Sequence, residues 1–231
     1  MTLSQLSQAL EVPKSTFLNS LRPLVNEDFL VVDGGLYRLG PGAFRLAARI
    51  ISAFSMPDLI RAYVKSLAET THESVGFAIS DWKVGRMIYI DTVPSPQPVV
   101  YAMLAGVSAP LYASAGGRVM LAYAPPELRD RCLARAKFKA FTSRTVTDPV
   151  AVREQLARIT SQGYCLSFGE MLDDTGAMAA PVFGGQGGVL GALVIGAPIE
   201  RMRANVDWLL SELLRTSHRA SGDDFAAKAS E

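Results

Sequence analysis

The sequence is poor in the residue types that bind metal ions or act as nucleophiles. Its 231 residues include only two cysteines and two histidines. Cys132 and Cys165 do not form a CxxC pair, and neither His72 nor His218 has a second His or Cys at ligand spacing, so no metal site is predicted. We interpret both cysteines as buried thiols, with a disulfide between them as the alternative.

Long apolar runs and an excess of one charge are also missing. No stretch reaches the roughly 18 apolar residues of a membrane span, and no basic segment leads into an apolar one at the N-terminus. These absences predict a cytoplasmic protein with no membrane partner. With 23 basic and 22 acidic residues the net charge is +1, so binding to nucleic acid would depend on local geometry and on several copies acting together. An apolar fraction of 49% supports a substantial core.

Signatures of catalysis and of cofactor binding are equally scarce. Ser114 stands in SAGG and not in a GxSxG elbow. The GGQGG segment falls between two predicted strands, which is typical of a hairpin turn and not of a phosphate loop. Asp173 and Asp174 form a single acidic pair, which we interpret as solvated in a loop. We therefore predict no enzyme, no catalytic residue and no cofactor, and keep a small-molecule hydrolase as the least favoured alternative.

The N-terminal residues show a helical pattern. Thr2 and Gln5 have the spacing of a capping box, and leucines recur at helical spacing until Pro13 ends the pattern. A second helix is predicted from Lys14, with Leu18, Leu21 and Val25 on its apolar face. Apolar runs on both sides of the turn at residues 33–35 then predict a hairpin.

Two short helices followed by a hairpin are typical of a winged helix-turn-helix, the predicted domain at residues 1–40. The exposed polar and basic side chains of this domain are the candidates for contacts with DNA: Lys14, Ser15, Thr16, Asn19, Ser20, Arg22 and Arg38. The alternative is a helical hairpin packed on a β-ribbon with no nucleic-acid role, because only Lys14 and Arg22 supply cations within the second helix.

A linker helix that dimerises is predicted at residues 41–56, because its apolar residues cover more than one face. The alternative is a helix packed within one domain. Residues 57–219 alternate between strand and helix patterns. They predict a helix to about Thr70, strands at residues 74–80, 86–93, 99–104, 164–167, 177–183 and 189–196, and helices at 114–123, 126–136, 149–162 and 199–218. This order predicts an α+β domain with helices on an antiparallel sheet, followed by a flexible tail at residues 220–231.

The segment from Ser114 to Arg118 is the strongest candidate for a ligand site. Gly116 and Gly117 allow close approach to the backbone, and free amides at a helix start favour an anion such as a carboxylate. The alternative is a tight turn in which the glycines serve only packing.

Several motifs resemble the IclR family of bacterial transcription regulators. They are LSQLSQALEVPKST, DGGLYRLGP, PLYASAGGRVMLA, GYCLSFGE and AAPVFGGQGGVLGALVIGAP, and they follow the family's order over nearly the whole chain. The resemblance implies an N-terminal winged helix-turn-helix, a linker helix and a C-terminal effector-binding domain with a GAF-like fold. It also implies a double-stranded DNA operator, a small-molecule effector and a homo-oligomer, either a dimer or a dimer of dimers.

The sequence departs from this family at three points. The first helix of the family's DNA-binding domain has no counterpart here, so we expect a shortened N-terminus. Pro23 is unusual inside a reading helix, and Asn19 stands where many relatives have a basic residue. A ligand-binding regulator with impaired DNA binding is therefore the alternative function.

The resemblance also implies the positions of the effector pocket. The family's backbone-amide segment corresponds to Ser114, Ala115, Gly116 and Gly117, and the aligned pocket positions are Ser167, Ala177, Val194 and Gly196. We add Tyr101, Met103 and Leu104 as the far wall. Small or apolar residues at the aligned positions favour an aromatic, hydroxybenzoate-like carboxylate, with its ring against Leu104 and Val194.

Overall fold

The computed structural model describes residues 1–46, 56–185 and 187–222, and the chain divides into two compact units, Met1–Pro57 and Asp58–Glu231. Each unit is built around its own sheet, which has two strands in unit 1 and six in unit 2.

Unit 1 begins with two helices, α1 (Leu3–Ala9) and α2 (Lys14–Asn26). The predicted capping box is confirmed: Thr2 N donates to Gln5 Oε1 at 2.8 Å, and Gln5 N donates to Thr2 Oγ1 at 3.3 Å. These two bonds satisfy backbone groups that a helix start would otherwise leave unpaired. Leu21 is buried, and α2 retains Pro23 in its interior.

The second half of unit 1 is the predicted hairpin, with β1 (Leu30–Asp33) antiparallel to β2 (Leu36–Leu39). Gly34 and Gly35 have φ values of 55° and 78°. Two consecutive positive φ angles define the tight turn whose twist matches a hairpin, and glycine adopts them without strain. Residues 41–46 form the helical segment α3. The rest of the predicted linker helix, residues 47–55, lies outside the described residues.

Unit 2 is a six-stranded antiparallel sheet covered by helices. Its strands are β3 (Ser74–Asp81), β4 (Arg86–Val93), β5 (Ser108–Pro110), β6 (Cys165–Phe168), β7 (Thr175–Phe183) and β8 (Val189–Pro198). Its helices are α4 (Met56–Thr71), α5 (Ala115–Ala122), α6 (Pro126–Arg135), α7 (Pro149–Gln162), α8 (Ile199–Ala204) and α9 (Val206–Ser221). The strand order is β5-β4-β3-β8-β7-β6.

The two faces of this sheet carry different helices. A Cβ atom on Gly176 of β7 would lie 2.6 Å from Met202 Sδ, which places α8 against one face. Ala177, the next residue, points to the opposite face because side chains alternate along a strand. There α5 packs on β7 and β8, with α7 beside it. The predicted mixed α+β class is confirmed for this unit.

The predicted strand at residues 99–104 is wrong, because this segment crosses the face of the sheet instead of extending its edge. A Cβ atom on Gly196 would lie 2.4 Å from the ring of Tyr101, and one on Gly76 would lie 2.8 Å from Met103 Sδ. Tyr101 and Met103 thus rest on glycines of β8 and β3. The short strand β5 takes the edge position beside β4.

Two predictions near the C-terminus are also corrected. The single helix expected at 199–218 is broken at Asn205, which has φ −125° and whose side-chain amide donates to Arg201 O at 2.9 Å. The predicted start of the flexible tail, at residue 220, is too early in the chain. Ala220 is buried, and Phe183 N donates to Ser221 Oγ at 3.0 Å, which holds the end of α9 on β7. Residues 223–231 lie outside the described residues.

Candidate ligand-binding site

The start of α5 presents backbone amides that are free to bind an acceptor. Ser114 is the N-cap, and its hydroxyl donates to Pro110 O at 2.8 Å while it accepts from Gly117 N at 3.3 Å. Among the described residues, the N–H groups of Ala115 and Gly116 have no hydrogen-bond partner. A buried helix start with unpaired N–H groups attracts an anion or another acceptor.

The two glycines of this segment differ in their surroundings. A Cβ atom on Gly117 would lie 2.5 Å from the backbone of Leu111, so close packing alone requires glycine there. A Cβ atom on Gly116 would lie 3.0 Å from Val194 Cγ2 and 3.2 Å from Met87 Sδ. Gly116 therefore keeps open a space beside two side chains that line a cavity.

That cavity has a volume of about 260 Å³ and lies between the start of α5, the face of the sheet and the loop after β6. Six predicted effector-binding residues line it: Tyr101, Ser114, Ala115, Ser167, Ala177 and Val194. Ser167 and Ala177 come together because they are partners in the β6–β7 ladder. The volume is slightly below the range of typical drug-sized pockets, which indicates a compact ligand.

The remaining predicted effector residues do not line the cavity. Leu104 is 61% exposed, so the prediction that it forms the far wall and packs on a ligand ring is corrected. Met103 is buried over Gly76 and Gly196, and the covering side chains separate Gly196 from the cavity. Gly116 and Gly117 lie behind the lining at the start of α5.

Residues that the sequence did not predict complete the walls of the cavity. The apolar ones are Met87, Val107, Ala109, Phe141, Met171 and Leu172, and the polar ones are Tyr89, Ser108, Glu170 and Thr175. The phenol of Tyr89 has no hydrogen-bond partner among the described residues. Burial, and secondarily the neighbouring Tyr101, raises the pKa of Tyr89, and burial also raises the pKa of Tyr101. Both phenols therefore stay protonated at neutral pH.

A buried ion pair joins α5 to Glu170, one of the residues that line the cavity. Arg118 donates to Glu170 Oε1 at 3.0 Å and also to Glu170 Oε2, and it donates to the carbonyls of Tyr112 and Ala113 at 2.8 and 3.1 Å. Burial lowers the pKa of Arg118. The hydrogen bonds to Glu170 and the charge of Glu170 raise this pKa by more than burial lowers it, so it lies above the ordinary value. The guanidinium of Arg118 is therefore charged. The only signal in the sequence was an arginine inside an apolar helix.

The loop that carries Glu170 is held firmly. Ser167 Oγ donates to Glu170 Oε1 at 3.1 Å, and Thr145 Oγ1 donates to Glu170 O at 2.6 Å. Thr142 Oγ1 donates to Gly169 O at 2.6 Å. These bonds join the loop after β6 to residues 142–145, next to Phe141 at the cavity wall.

The predicted DNA-contacting side chains are all exposed in unit 1. Six lie on α2, and Arg38 lies on β2 opposite Val31. Leu18, Leu21 and Val25 face inward, as the helical spacing predicted. The contacts with DNA stay predictions.

Within residues 1–46, 56–185 and 187–222, no three His, Cys, Asp or Glu side chains are grouped to hold a metal ion. Over the same ranges, no helix has the length and hydropathy needed to cross a bilayer. Cys132 and Cys165 are both buried and free, as the preferred interpretation predicted.

A cavity at a helix start over an antiparallel sheet is the kind of site that a sensor domain uses. Residues 49–222 match the family model described as bacterial transcriptional regulator IclR C-terminal, so unit 2 is the effector-binding domain of such a regulator. The match covers more than half of the chain. The chain belongs to the IclR family of bacterial transcription regulators.

Individual proteins agree with this assignment. The Pca regulon regulatory protein of Pseudomonas putida is 25% identical over 203 residues, which cover 87% of this chain and 69% of that protein. The IclR transcriptional regulator of Alicyclobacillus acidocaldarius has a TM-score of 0.83 at 28% identity, covering 95% and 89% of the two chains. An IclR homologue of Microbacterium hydrocarbonoxydans, complexed with 4-hydroxybenzoate, has a TM-score of 0.81 at 22% identity over 96% and 90%. That last likeness shows a shared fold alone. These relatives are regulators and not enzymes, as predicted.

Proposed function

We propose that this chain is a DNA-binding transcription regulator that responds to a small aromatic carboxylate. The observation that carries the proposal is the cavity at the start of α5, where the amides of Ala115 and Gly116 have no acceptor among the described residues. A carboxylate in the cavity would accept from the amide of Ala115, which lines it, and gain from the helix dipole. The Arg118–Glu170 pair nearby is neutral overall and leaves this attraction in place.

An aromatic ring suits the rest of the cavity. Val194, Met87 and Phe141 supply apolar walls, and the phenols of Tyr89 and Tyr101 lie beside each other in the lining. A hydroxyl on the ring could bond with these phenols. The IclR homologue complexed with 4-hydroxybenzoate shows that this fold accommodates such a molecule in another protein.

Calorimetry on the full chain tests this ligand class. We expect 4-hydroxybenzoate to bind, and its methyl ester to bind at least about tenfold more weakly because it lacks the anionic oxygens. Tyr89→Phe should reduce the preference for 4-hydroxybenzoate over benzoate. Ala177→Leu should fill the cavity and weaken every aromatic acid, whereas Ala134→Leu on the exposed side of α6 is the matched control. Binding of short aliphatic acids alone would contradict the proposal.

We also propose that unit 1 is a winged helix-turn-helix whose α2 enters the major groove of an operator. Its polar residues Thr16 and Asn19 would contact bases, while Lys14 and Arg22 would contact phosphates. All four side chains are exposed. The linker would join copies into a homo-oligomer, since Phe44 and Leu46 are large apolar side chains exposed in the single chain.

Fluorescence anisotropy with the region upstream of the protein's own operon tests the DNA contacts. Lys14→Gln should weaken binding to all duplexes and reduce the salt slope by about one, whereas Asn19→Ala should relax base preference. Lys65→Gln on α4 removes an exposed cation outside unit 1 and should change nothing. Base preference that survives Asn19→Ala and Thr16→Ala together would rule out this reading face.

The second candidate function is a ligand-binding regulator with impaired DNA binding. Pro23 inside α2 supports it, because a proline there deprives one carbonyl of its partner. The protein would then bind aromatic acids, but it would not retard any duplex in a gel-shift experiment at low salt. Retardation that is lost as salt rises would favour the first function.

A further inference from the structure

A second cavity in unit 2, separate from the one at the start of α5, is larger, with a volume of about 370 Å³. It lies between the β3–β4 turn, the segment before α5 and the C-terminal half of α6. Trp82 forms one wall, and the buried side chains of Leu121, Cys132 and Leu133 form part of the floor. Neither the sequence motifs nor the family match assigns a role to this cavity.

Its lining carries a concentration of positive charge. Five basic side chains line it, and no acidic one does among the described residues. These five are Lys83, Arg86, Arg131, Arg135 and Lys137. In a chain with a net charge of only +1, such clustering is a local feature that the overall composition conceals.

None of these five cations forms an ion pair with a described residue. Two acidic groups that neighbour these cations in sequence already have other partners. Asp81 Oδ1 accepts from the turn amides of Lys83 and Val84 at 3.0 and 3.3 Å. Asp130 on α6 pairs with Arg153 at 2.5 Å and with Arg129 at 3.8 Å. The positive charge of the cavity is therefore not compensated.

One of the five cations is held by hydrogen bonds, and the other four are exposed to solvent. Arg86 is half-buried, and it donates from Nε to Ser108 Oγ at 2.9 Å and from Nη2 to Ser108 O at 2.8 Å. Lys83, Arg131, Arg135 and Lys137 are exposed. The helix dipole of α6 accounts for a cation in its last turn, which contains Arg135 alone. It does not account for the lysines outside the helix.

We propose that this second cavity binds a small anion with at least two negative charges, held by Arg131, Arg135 and the two lysines. Guanidinium and ammonium groups recognise phosphate and carboxylate oxygens alike. A concave space with an aromatic wall suits a small molecule better than the convex backbone of a duplex. The regulator would thus have a second ligand, distinct from the aromatic acid in chemistry and in place.

Titration calorimetry of the full chain with pyrophosphate and with tricarballylate distinguishes a phosphate ligand from a carboxylate ligand. We expect saturable binding of at least one of them, one site per chain, and much weaker binding of acetate. The double variant Arg131→Gln/Arg135→Gln should lower the affinity at least about tenfold. Both side chains are exposed, so the variant should fold, and circular dichroism would verify this.

The matched control is Arg129→Gln/Arg153→Gln, which removes the same charge from α6 and α7 but from arginines already paired with Asp130. It should leave the affinity within about twofold. A second readout is the fluorescence of Trp82 in a Trp208→Phe background, which should change on anion binding. Ala177→Leu should leave anion binding unchanged, so failure of the aromatic-acid site would not affect this result.

Three outcomes would overturn the proposal. The first is no saturable binding of either polyanion, and the second is an equal loss of affinity in the control and in Arg131→Gln/Arg135→Gln. The third is that Arg131 and Arg135 are needed for binding a duplex but not for binding pyrophosphate, because the cluster would then contact nucleic acid.

Discussion

Glu170 makes contacts through both its side chain and its backbone. Its carboxylate accepts from Arg118 and Ser167, and its carbonyl accepts from Thr145. The side chain of Arg118 is only 1% exposed, so its charge has no access to water when the partner is lost. Glu170 therefore contributes to the stability of the domain and to the shape of the cavity.

Glu170→Gln should destabilise the folded state by about 3 kcal/mol, because it leaves a buried cation without a counter-charge. The measurement is denaturant unfolding at neutral pH. Glu154→Gln, an exposed change on α7, is the control and should cost less than about 0.5 kcal/mol. The double variant Arg118→Met/Glu170→Leu should recover much of the loss. Equal stability of Glu170→Gln and Glu154→Gln would contradict this account.

Cys165 should make stability depend on alkaline pH. Burial raises the pKa of its thiol to about 11 from an ordinary 9.0, although Arg118 partly opposes this. Below pH 9 the thiol is neutral in both states and the stabilisation is complete. Between pH 9 and 11 only the unfolded chain loses the proton, so stability falls as pH rises.

Denaturant unfolding between pH 8 and 11 would measure this slope. We expect the wild type to lose on the order of 2 kcal/mol more than Cys165→Ala over this range. The comparison with the variant separates the thiol from Tyr89 and Tyr101, whose raised pKa values act in the same direction. Parallel slopes for the two proteins would rule out the assignment.

At the residue scale, the sequence predicted residues positioned by the backbone more accurately than it predicted pairs of interacting side chains. Ala115, Ser167 and Ala177, three of the proposed effector residues, line the same cavity, because strand register and helix start are local properties. Glu170 was missed, since its pairing with Arg118 joins distant parts of the chain. The wall role of Leu104 was wrong for a similar reason: which residues of an irregular segment turn inward depends on the sheet beneath them.

Helix α2 is the element whose sequence conflicts most with its conformation. Pro23 lies in its interior, three residues before its end at Asn26. The proline has no N–H to donate to the carbonyl of Asn19, the residue four positions earlier. Asn19 is also a predicted base contact, so this weak point lies on the proposed reading face.

Pro23→Ala should stabilise α2 by up to about 3 kcal/mol, because it restores a hydrogen bond and removes a steric conflict. Hydrogen exchange of the α2 amides should slow in the variant. Pro13→Ala is the matched control: Pro13 is the N-cap, where a missing N–H costs little, and exchange there should hardly change. Faster exchange in Pro23→Ala would show that the proline pre-shapes the helix.

Elements with clear start and stop signals were predicted well. The cap of α1, the start of α5, the glycine turn between β1 and β2 and the strands β3, β4, β7 and β8 all lie within a few residues of the prediction. The prediction of a strand at 99–104 was wrong because the apolar residues of this segment cover a face of the sheet and the segment does not pair with another strand. The break at Asn205 was missed because asparagine is a weak signal without the Arg201 carbonyl that it caps.

At the scale of the whole molecule, the two units differ in how much apolar surface they bury. Leu21 is the only buried apolar side chain among the described residues of unit 1, whereas most of the core belongs to unit 2. Burial of apolar surface is the main favourable term in folding. We therefore expect unit 1 to be much the less stable unit in an isolated chain.

Scanning calorimetry should show two unfolding transitions, with unit 1 first. At about 100 times its dissociation constant, 4-hydroxybenzoate should stabilise the second transition by about 2.7 kcal/mol and leave the first unchanged. Trp208→Phe, at a residue that does not line the cavity, should respond to the ligand as the wild type does. A single transition that the ligand shifts as a whole would mean that the two units unfold together.

The position of β3 beside β8 has a consequence for biosynthesis. The first strand of unit 2 pairs with its last, from Ser74 opposite Gly196 to Ala78 opposite Ala192. The chain is synthesised from its N-terminus, so β8 must leave the ribosome before the middle of the sheet can form. Until then β3 has β4 as its partner on one side only, and its other edge is available to a chaperone or to a neighbouring nascent chain. Contacts between such distant segments also predict slow folding.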